Sequence, residues 1–253
     1  MADFGGDRDD IVQKAFQEEI VAILCPGEIT EADNLSITLE LTEKYPNIVA
    51  SAGVHPHHAI DYSSDCAKKI EELAAFEKIK AVGEIGLDFH YDFSPRSQQI
   101  NAFRRQLNTA QELALPVVLH SRNSGNEIAK AVEEEQFTRG GVLHCFTEDW
   151  EFASRMMDLG FAVSFSGILT FSKAHALRET AKKIPLEKLL IETDSPYLVP
   201  EPYRGRIQRN EPVYVREVAK TLAELKSISL DELAEATTQN FESLFMFEIT
   251  KTR

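Results

Sequence analysis

The stretch Ala81–Asp88, AVGEIGLD, decides how the rest of the chain reads. It is a short apolar run with one carboxylate, Glu84, at its middle and a glycine on either side of the Glu-Ile pair, Gly83 and Gly86. A strand covered by helices on both faces is almost wholly apolar. A charge inside one is costly unless it is paired or bound to a metal. The same irregularity recurs: His55 follows IVASAGV, His120 follows PVVL, His144 follows GGVL and Asp194 follows LLIET. Five strand-like runs thus carry or end in a residue of metal-ligand type.

Working outward, strand-like runs fall at 20–27, 48–56, 81–88, 116–122, 140–147, 161–167 and 189–196. Helical spacing fills the intervals. Ile11, Val12, Ala15, Phe16 and Ile20 mark one apolar face behind Asp7, a residue suited to capping. Further helices are expected over 31–45, 65–78, from Pro95 behind a Ser94 cap, to about 136, over Asp149–Asp158, near 173–183, and from Glu211 onward with Ser229 as a cap. Regular alternation of strand and helix means a parallel sheet. Ligand-type residues at the carboxyl ends of many strands favour an α/β (β/α)8 barrel, where those ends converge on one mouth, over an open sheet that binds only at a switch point. The chain begins with a helix, so seven strands are expected, with the first of the eight missing. A single domain over 1–253 is expected, because no linker, repeat or low-complexity break divides it.

Composition narrows the function. The chain has 253 residues, 43% hydrophobic and 27% charged, with a formal net charge of −14. That balance opposes gripping nucleic acid by bulk electrostatics, so phosphate recognition must be local. The one dense basic patch is Arg204, Arg206 and Arg209, whose simplest reading is a solvated loop. No apolar run is long enough to cross a bilayer and no basic-then-apolar leader opens the chain, so a cytoplasmic protein with no membrane association is expected. No obligate protein partner is expected. Cys25, Cys66 and Cys145 are odd in number and widely spaced, against both a disulfide framework and a CxxC zinc site.

Singly, each candidate has a structural explanation: a strand-end histidine is usually just hydrogen-bonded, and Asp194 before Ser195-Pro196 can organise a turn. Together, Glu84, His120, His144 and Asp194 on four strands of one barrel make coincidence a poor account. Two imidazoles with two carboxylates suit Zn²⁺ or Mn²⁺, and carboxylates alone would suit Mg²⁺. No Walker loop, G-x-S-x-G elbow or dinucleotide glycine fingerprint competes. A Cys145–His144 nucleophile is disfavoured because strand neighbours point to opposite faces, which should turn Cys145 away from the mouth.

The segments GVHPHHA (53–59), AVGEIGLDFHY (81–91), PVVLHSR (116–122), GVLHCFT (141–147), SFSGILTF (164–171) and LLIETDSPYLVP, PYRG and RNEP (within 189–212) resemble, in order, the TatD family of metal-dependent deoxyribonucleases. The resemblance implies a TIM barrel of the metal-dependent hydrolase type that cleaves phosphodiester bonds in DNA, its substrate, by a metal-activated water, usually with two divalent cations. It implies metal-ligand roles for Glu84 (bridging), His120, His144 and Asp194. Glu84 and Asp194 are its catalytic residues, Asp194 orienting or deprotonating the attacking water. His55, His57, Arg122, Tyr197 and Arg204 would hold substrate phosphate around the mouth.

One departure stands out. Family members open with a strand carrying His-x-His, two ligands to one metal, and Met1-Ala2-Asp3-Phe4 begins after that point. Fewer than two firmly bound metals are therefore expected. Arg204–Pro212, RGRIQRNEP, is also longer than the family's usual segment. The alternatives are a truncated, catalytically impaired relative binding at most one metal, a metal-dependent hydrolase of amide or ester bonds, and a non-catalytic binding protein that uses the same mouth.

Overall fold

A computed structural model describes residues 2–250, so Met1 and the last three residues of the expected 1–253 domain lie outside the described residues. Seven strands form one parallel sheet: β1 Ile23–Glu28, β2 Ile48–Gly53, β3 Ile79–Asp88, β4 Val117–Arg122, β5 Gly141–His144, β6 Phe161–Phe165 and β7 Leu189–Ile191. They pair in sequence order, β1 to β7, so every crossover is between neighbours and the sheet curls into most of a barrel. Among the described residues β1 and β7 are the two edges and do not pair with each other. The seven-strand TIM-barrel-like reading of the sequence is the fold observed.

The helices are α1 Arg8–Gln17, α2 Ala32–Lys44, α3 Ser64–Ala74, α4 Arg96–Leu113, α5 Gly125–Glu134, α6 Trp150–Asp158, α7 His175–Lys183, α8 Val215–Lys226 and α9 Leu230–Phe245. None is long and apolar enough to cross a membrane among the described residues. Two capping expectations fail for the same reason: a stronger partner takes the side chain. Asp7 makes no cap bond, because its carboxylate is held by the Arg209 guanidinium at 2.6 Å. Ser94 is buried, donates to the His57 carbonyl at 2.8 Å and accepts from the Ile60 N–H, so Pro95 becomes the extended residue before α4 rather than its first turn. Ser229 does cap α9, accepting from the Glu232 N–H at 3.1 Å. Helix ends at Phe245, short of the continuous helical tail expected from Glu211 onward.

Alternation along the strands divides the core in two. Outward residues such as Leu119, Leu143, Val163 and Leu189 pack under the helices. Inward residues Ala81, Val118, Val142, Ala162 and Leu190 form a separate layer closed by Phe245 of α9. This inner layer is the floor beneath the mouth. Two residues above Val118, Val142 and Leu190 stand His120, His144 and Glu192, so period-2 geometry carries each polar side chain to the same face, one layer higher. A cavity of about 430 Å³, lined by Ile11, Val12, Leu24, Val142 and Leu190, extends from this layer towards the β1 and β7 edges and reaches Glu84, His144 and Asp194.

Candidate metal centre

Glu84 reaches the centre through an irregularity in β3. The β3–β4 register shifts between Val82 and Ile85, so Ala81 and Glu84, of opposite parity, both face inward. The flanking glycines make this possible. A Cβ on Gly83 (φ 157) would stand 2.7 Å from the Cβ of Val118, and one on Gly86 (φ 141) would land on the His120 carbonyl oxygen. Neither position tolerates a side chain.

Around Glu84 the structure gathers four of the sequence-selected residues. Its Oε1 lies 2.8 Å from His120 Nδ1 and 3.6 Å from both His55 Nε2 and His144 Nε2. His144 Nε2 lies 3.6 Å from Asp194 Oδ1, which adds the fourth strand-end residue to the group. Among the described residues, His55, Glu84 and His120 offer ligand-type atoms that all lie within 4.8 Å of one another, so His55 stands in the centre itself rather than at its rim. The His57 N–H points at His55 Nδ1 (3.2 Å), which makes Nδ1 the acceptor and leaves the proton of a neutral ring on Nε2, facing Glu84. Nε2 is therefore set to donate into the centre.

Three carboxylates that the sequence pattern does not single out hold these histidines, two by the ring and one by the backbone. Asp88, fully buried at the end of β3, places Oδ2 3.2 Å from His120 Nε2 and 2.9 Å from His57 Nε2. Glu192 places Oε2 3.0 Å from His144 Nδ1. Glu28, the last residue of β1, accepts the His55 backbone N–H at 2.7 Å and the N–H and hydroxyl of Thr30. The signal was available in each case. Asp88 shares the parity of Glu84, Glu192 shares that of Leu190, and Glu28 closes a strand as the histidines do.

The electrostatics follow from this packing. Burial pushes the Glu84 carboxyl up, but the neighbouring His144 and His55 rings and the His120 hydrogen bond outweigh it and hold Glu84 well below the usual carboxylate range. Asp88 is depressed in the same way, burial being outweighed by His120, His57 and the backbone N–H groups of Tyr91 and His90. Burial alone would lower His120, yet Asp88 and Glu84 raise it to about 9. His144 is raised well above its ordinary value, Glu192 and Glu84 overcoming burial. His57 goes the other way, burial lowering it despite Asp88.

Asp194 sits in the left-handed region (φ 51), which Asp tolerates, just beyond the short β7. Asn210, fully buried, fixes this loop by donating Nδ2 to the carbonyls of Thr193 (2.6 Å) and Tyr197 (2.7 Å). Tyr197 is left 64% exposed. Arg122 is exposed, with its guanidinium 4.7 Å from the Tyr91 ring centre, and Arg204 lies 3.9 Å from that of Phe171. In the basic patch, Arg209 is engaged with Asp7 and Glu211 instead of facing solvent alone. Cys145 corrects its expectation: it does not turn away from the mouth. β5 ends at His144 and Cys145 takes φ 45, so strand alternation no longer applies and Sγ lies 3.1 Å from Ser166 Oγ and 4.0 Å from Asp194 Oδ2. Burial and the nearby carboxylates of Glu192 and Asp194 push its thiol up, which removes it as a nucleophile.

These donors fit a divalent cation. His120 and His144 each give one ring nitrogen to an outer carboxylate and turn the other towards Glu84 or Asp194, the arrangement that fixes metal-binding imidazoles. Glu192 Oε1 is also buried without a protein partner among the described residues.

Comparison with known proteins agrees. The family model described as TatD related DNase matches residues 1–246. The chain is 40% identical over 240 residues to the uncharacterized metal-dependent hydrolase YabD of Bacillus subtilis, covering 94% of this chain and 92% of that one. It is 36% identical over 247 residues to a 3'-5' ssDNA/RNA exonuclease TatD of Erwinia amylovora, covering 96% and 95%. The crystal structure of YJJV, a TatD homolog from Escherichia coli, superposes with a TM-score of 0.89 at 32% identity over 98% of this chain and 95% of that one.

Proposed function

The chain belongs to the family of TatD-related DNases and is a metal-dependent hydrolase, and from that premise we propose that the bond it cleaves is the phosphodiester of DNA. The observation that carries this reading is the pairing of His120 with Asp88 and of His144 with Glu192 around Glu84, with exposed Arg122 at the end of the strand that carries His120. A neutral peptide or lactone would need no such cation, whereas a phosphodiester carries a charge for it to meet. The relative named as an ssDNA/RNA exonuclease supports the same substrate class.

Glu84, His120, His144 and Asp194 would hold the cation. Mg²⁺, Mn²⁺ or Zn²⁺ there would polarise a phosphoryl oxygen and acidify water. Asp88 and Glu192 keep the imidazoles oriented. Asp194 is the most open of the four, its side chain 32% exposed against 16–18% for the others, which supports giving it the proton of the attacking water. His55 donates through Nε2 into the same space, and Arg122, Arg204 and Tyr197 hold the phosphate chain at the mouth while His57 braces Asp88.

The test is hydrolysis of single-stranded DNA by the full chain with added Mn²⁺ or Mg²⁺, alongside a panel of lactones and peptide esters. The expected result is DNA cleavage that stops with chelator and is lost in Glu84→Gln. Chelator-insensitive cleavage, or turnover of the esters alone, refutes it.

A further inference from the structure

The loop between β3 and α4 carries two exposed aromatic rings that nothing in the fold requires. Tyr91 is 49% exposed and Phe93 66% exposed, and their rings stack with centres 5.5 Å apart and planes 13° from parallel. Asp92 between them takes φ 47, which turns the chain so that residues two apart share one side. The loop is pinned from below: Asp88 Oδ1 accepts the N–H groups of His90 (2.9 Å) and Tyr91 (3.0 Å), and Arg96 holds Asp92 at 3.1 Å.

This pair is wired to the metal centre. The His57 ring meets Phe93 edge-on at 4.7 Å and Tyr91 at 5.9 Å, and the same ring bonds Asp88, which bonds His120. Arg122, exposed at the end of β4, lies over the Tyr91 ring at 4.7 Å and brings a cation onto that end of the pair, which leaves Phe93 the more open surface. Rigid, exposed, flat apolar surface beside a guanidinium matches one ligand chemistry: an unpaired base stacked on a ring with its phosphate on the cation. A chain of net charge −14 cannot draw a strand in by bulk attraction, so such local contacts must supply the grip.

We propose that Tyr91 and Phe93 form a base-stacking platform that seats an unpaired nucleotide of single-stranded nucleic acid beside the metal centre, with Arg122 on its phosphate. The platform rests on the phosphodiesterase reading above, and it makes single strands the substrate, because a base inside a duplex has no free face to offer. It also makes recognition indifferent to sequence, since every base has a π-face.

The test compares a short oligodeoxyadenylate with an abasic oligonucleotide of equal length, in the Mn²⁺-loaded full chain. Wild type should favour the adenylate, and Phe93→Ala should shrink that preference by about 5- to 150-fold through KM, not kcat. Phe93→Trp should retain the preference, while Phe93→Leu, which keeps apolar volume in an exposed position, should lose most of it. A parallel rise in KM for both oligonucleotides, no change in either, or a wild-type preference in Phe93→Leu overturns the platform. Fluorescence anisotropy of the same labelled oligonucleotides in chelator separates the two readings. If wild type cleaves neither but binds the adenylate more tightly in a Phe93-dependent way, the platform stands and the nuclease reading falls. If it shows no binding preference either, the platform falls too.

Discussion

Asp88 and His120 are bound to each other across adjacent strands, carboxylate Oδ2 to ring Nε2 at 3.2 Å, while the ring's other nitrogen faces Glu84 at 2.8 Å. The imidazole is therefore held between two carboxylates, one outside the centre and one within it. Replacing Asp88 by Asn removes the charge that fixes the ring and should weaken divalent-metal binding about 10- to 100-fold. Glu192→Gln should act alike through His144. Competition with a fluorescent chelator measures both, and unchanged affinity in both variants would remove these carboxylates from the centre.

The same pairing sets a pH dependence for the metal-free protein. His120 is raised to about 9 when folded, and its unfolded value lies near the ordinary 6.5. Between those values the folded chain binds the proton and the unfolded chain does not, so this stability is full below about 6.5 and lost as pH rises through about 9. His144 is raised and acts in the same direction, while His57, lowered by burial, acts only on the acid side of 6.5. In chelator, the melting temperature should therefore fall from about pH 7 to about pH 9. Added metal displaces the protons, so its affinity should rise over that interval with measurable proton release. A flat melting profile would contradict the pairing.

Gly86 is a point where sequence and geometry meet closely. At φ 141, with the His120 carbonyl where a Cβ would be, Gly86→Ala must push β3 from β4. A cost of about 1–3 kcal/mol is expected from backbone strain alone, read from urea unfolding. Metal affinity should drop as well, because Glu84 and His120 sit on the two strands being separated.

Cysteine reactivity gives an independent check on the fold. Cys25 is buried in β1 and burial pushes its thiol up to about 12. It should resist alkylation at neutral pH until the protein unfolds. Cys145→Ser should leave metal-dependent hydrolysis within about twofold, since the raised Cys145 thiol carries no nucleophilic role. Loss of turnover in that variant would reopen a covalent mechanism.

Much of the site was legible in the chain. Glu84, His120, His144 and Asp194 stood out because a ligand-type residue in a buried strand is expensive, and the structure gathers them around one point. The rest was hidden for two reasons. Asp88, Glu192 and Glu28 follow the strand parities already in view, but a carboxylate at a strand's last residue or just past it looks like an ordinary loop entry. His55 belongs to the same pattern of strand-end ligand residues, but the family resemblance assigns it to the mouth, and how far its strand end leans inward is set by packing that the sequence does not state.

What the sequence alone determined is the alternation of strand and helix, and with it the parallel sheet and the face each strand end presents. Those follow from local periodicity, which needs no knowledge of neighbours. Which atoms meet was decided only by the tertiary structure. The inward turn of Glu84 depends on a register shift against β4, Cys145 left the strand pattern where β5 stopped, and Tyr91 met Phe93 and His57 only once the loop was pinned to Asp88. Each is a contact between segments distant along the chain or a backbone turn set by such contacts, and a one-dimensional pattern carries no distances across the fold.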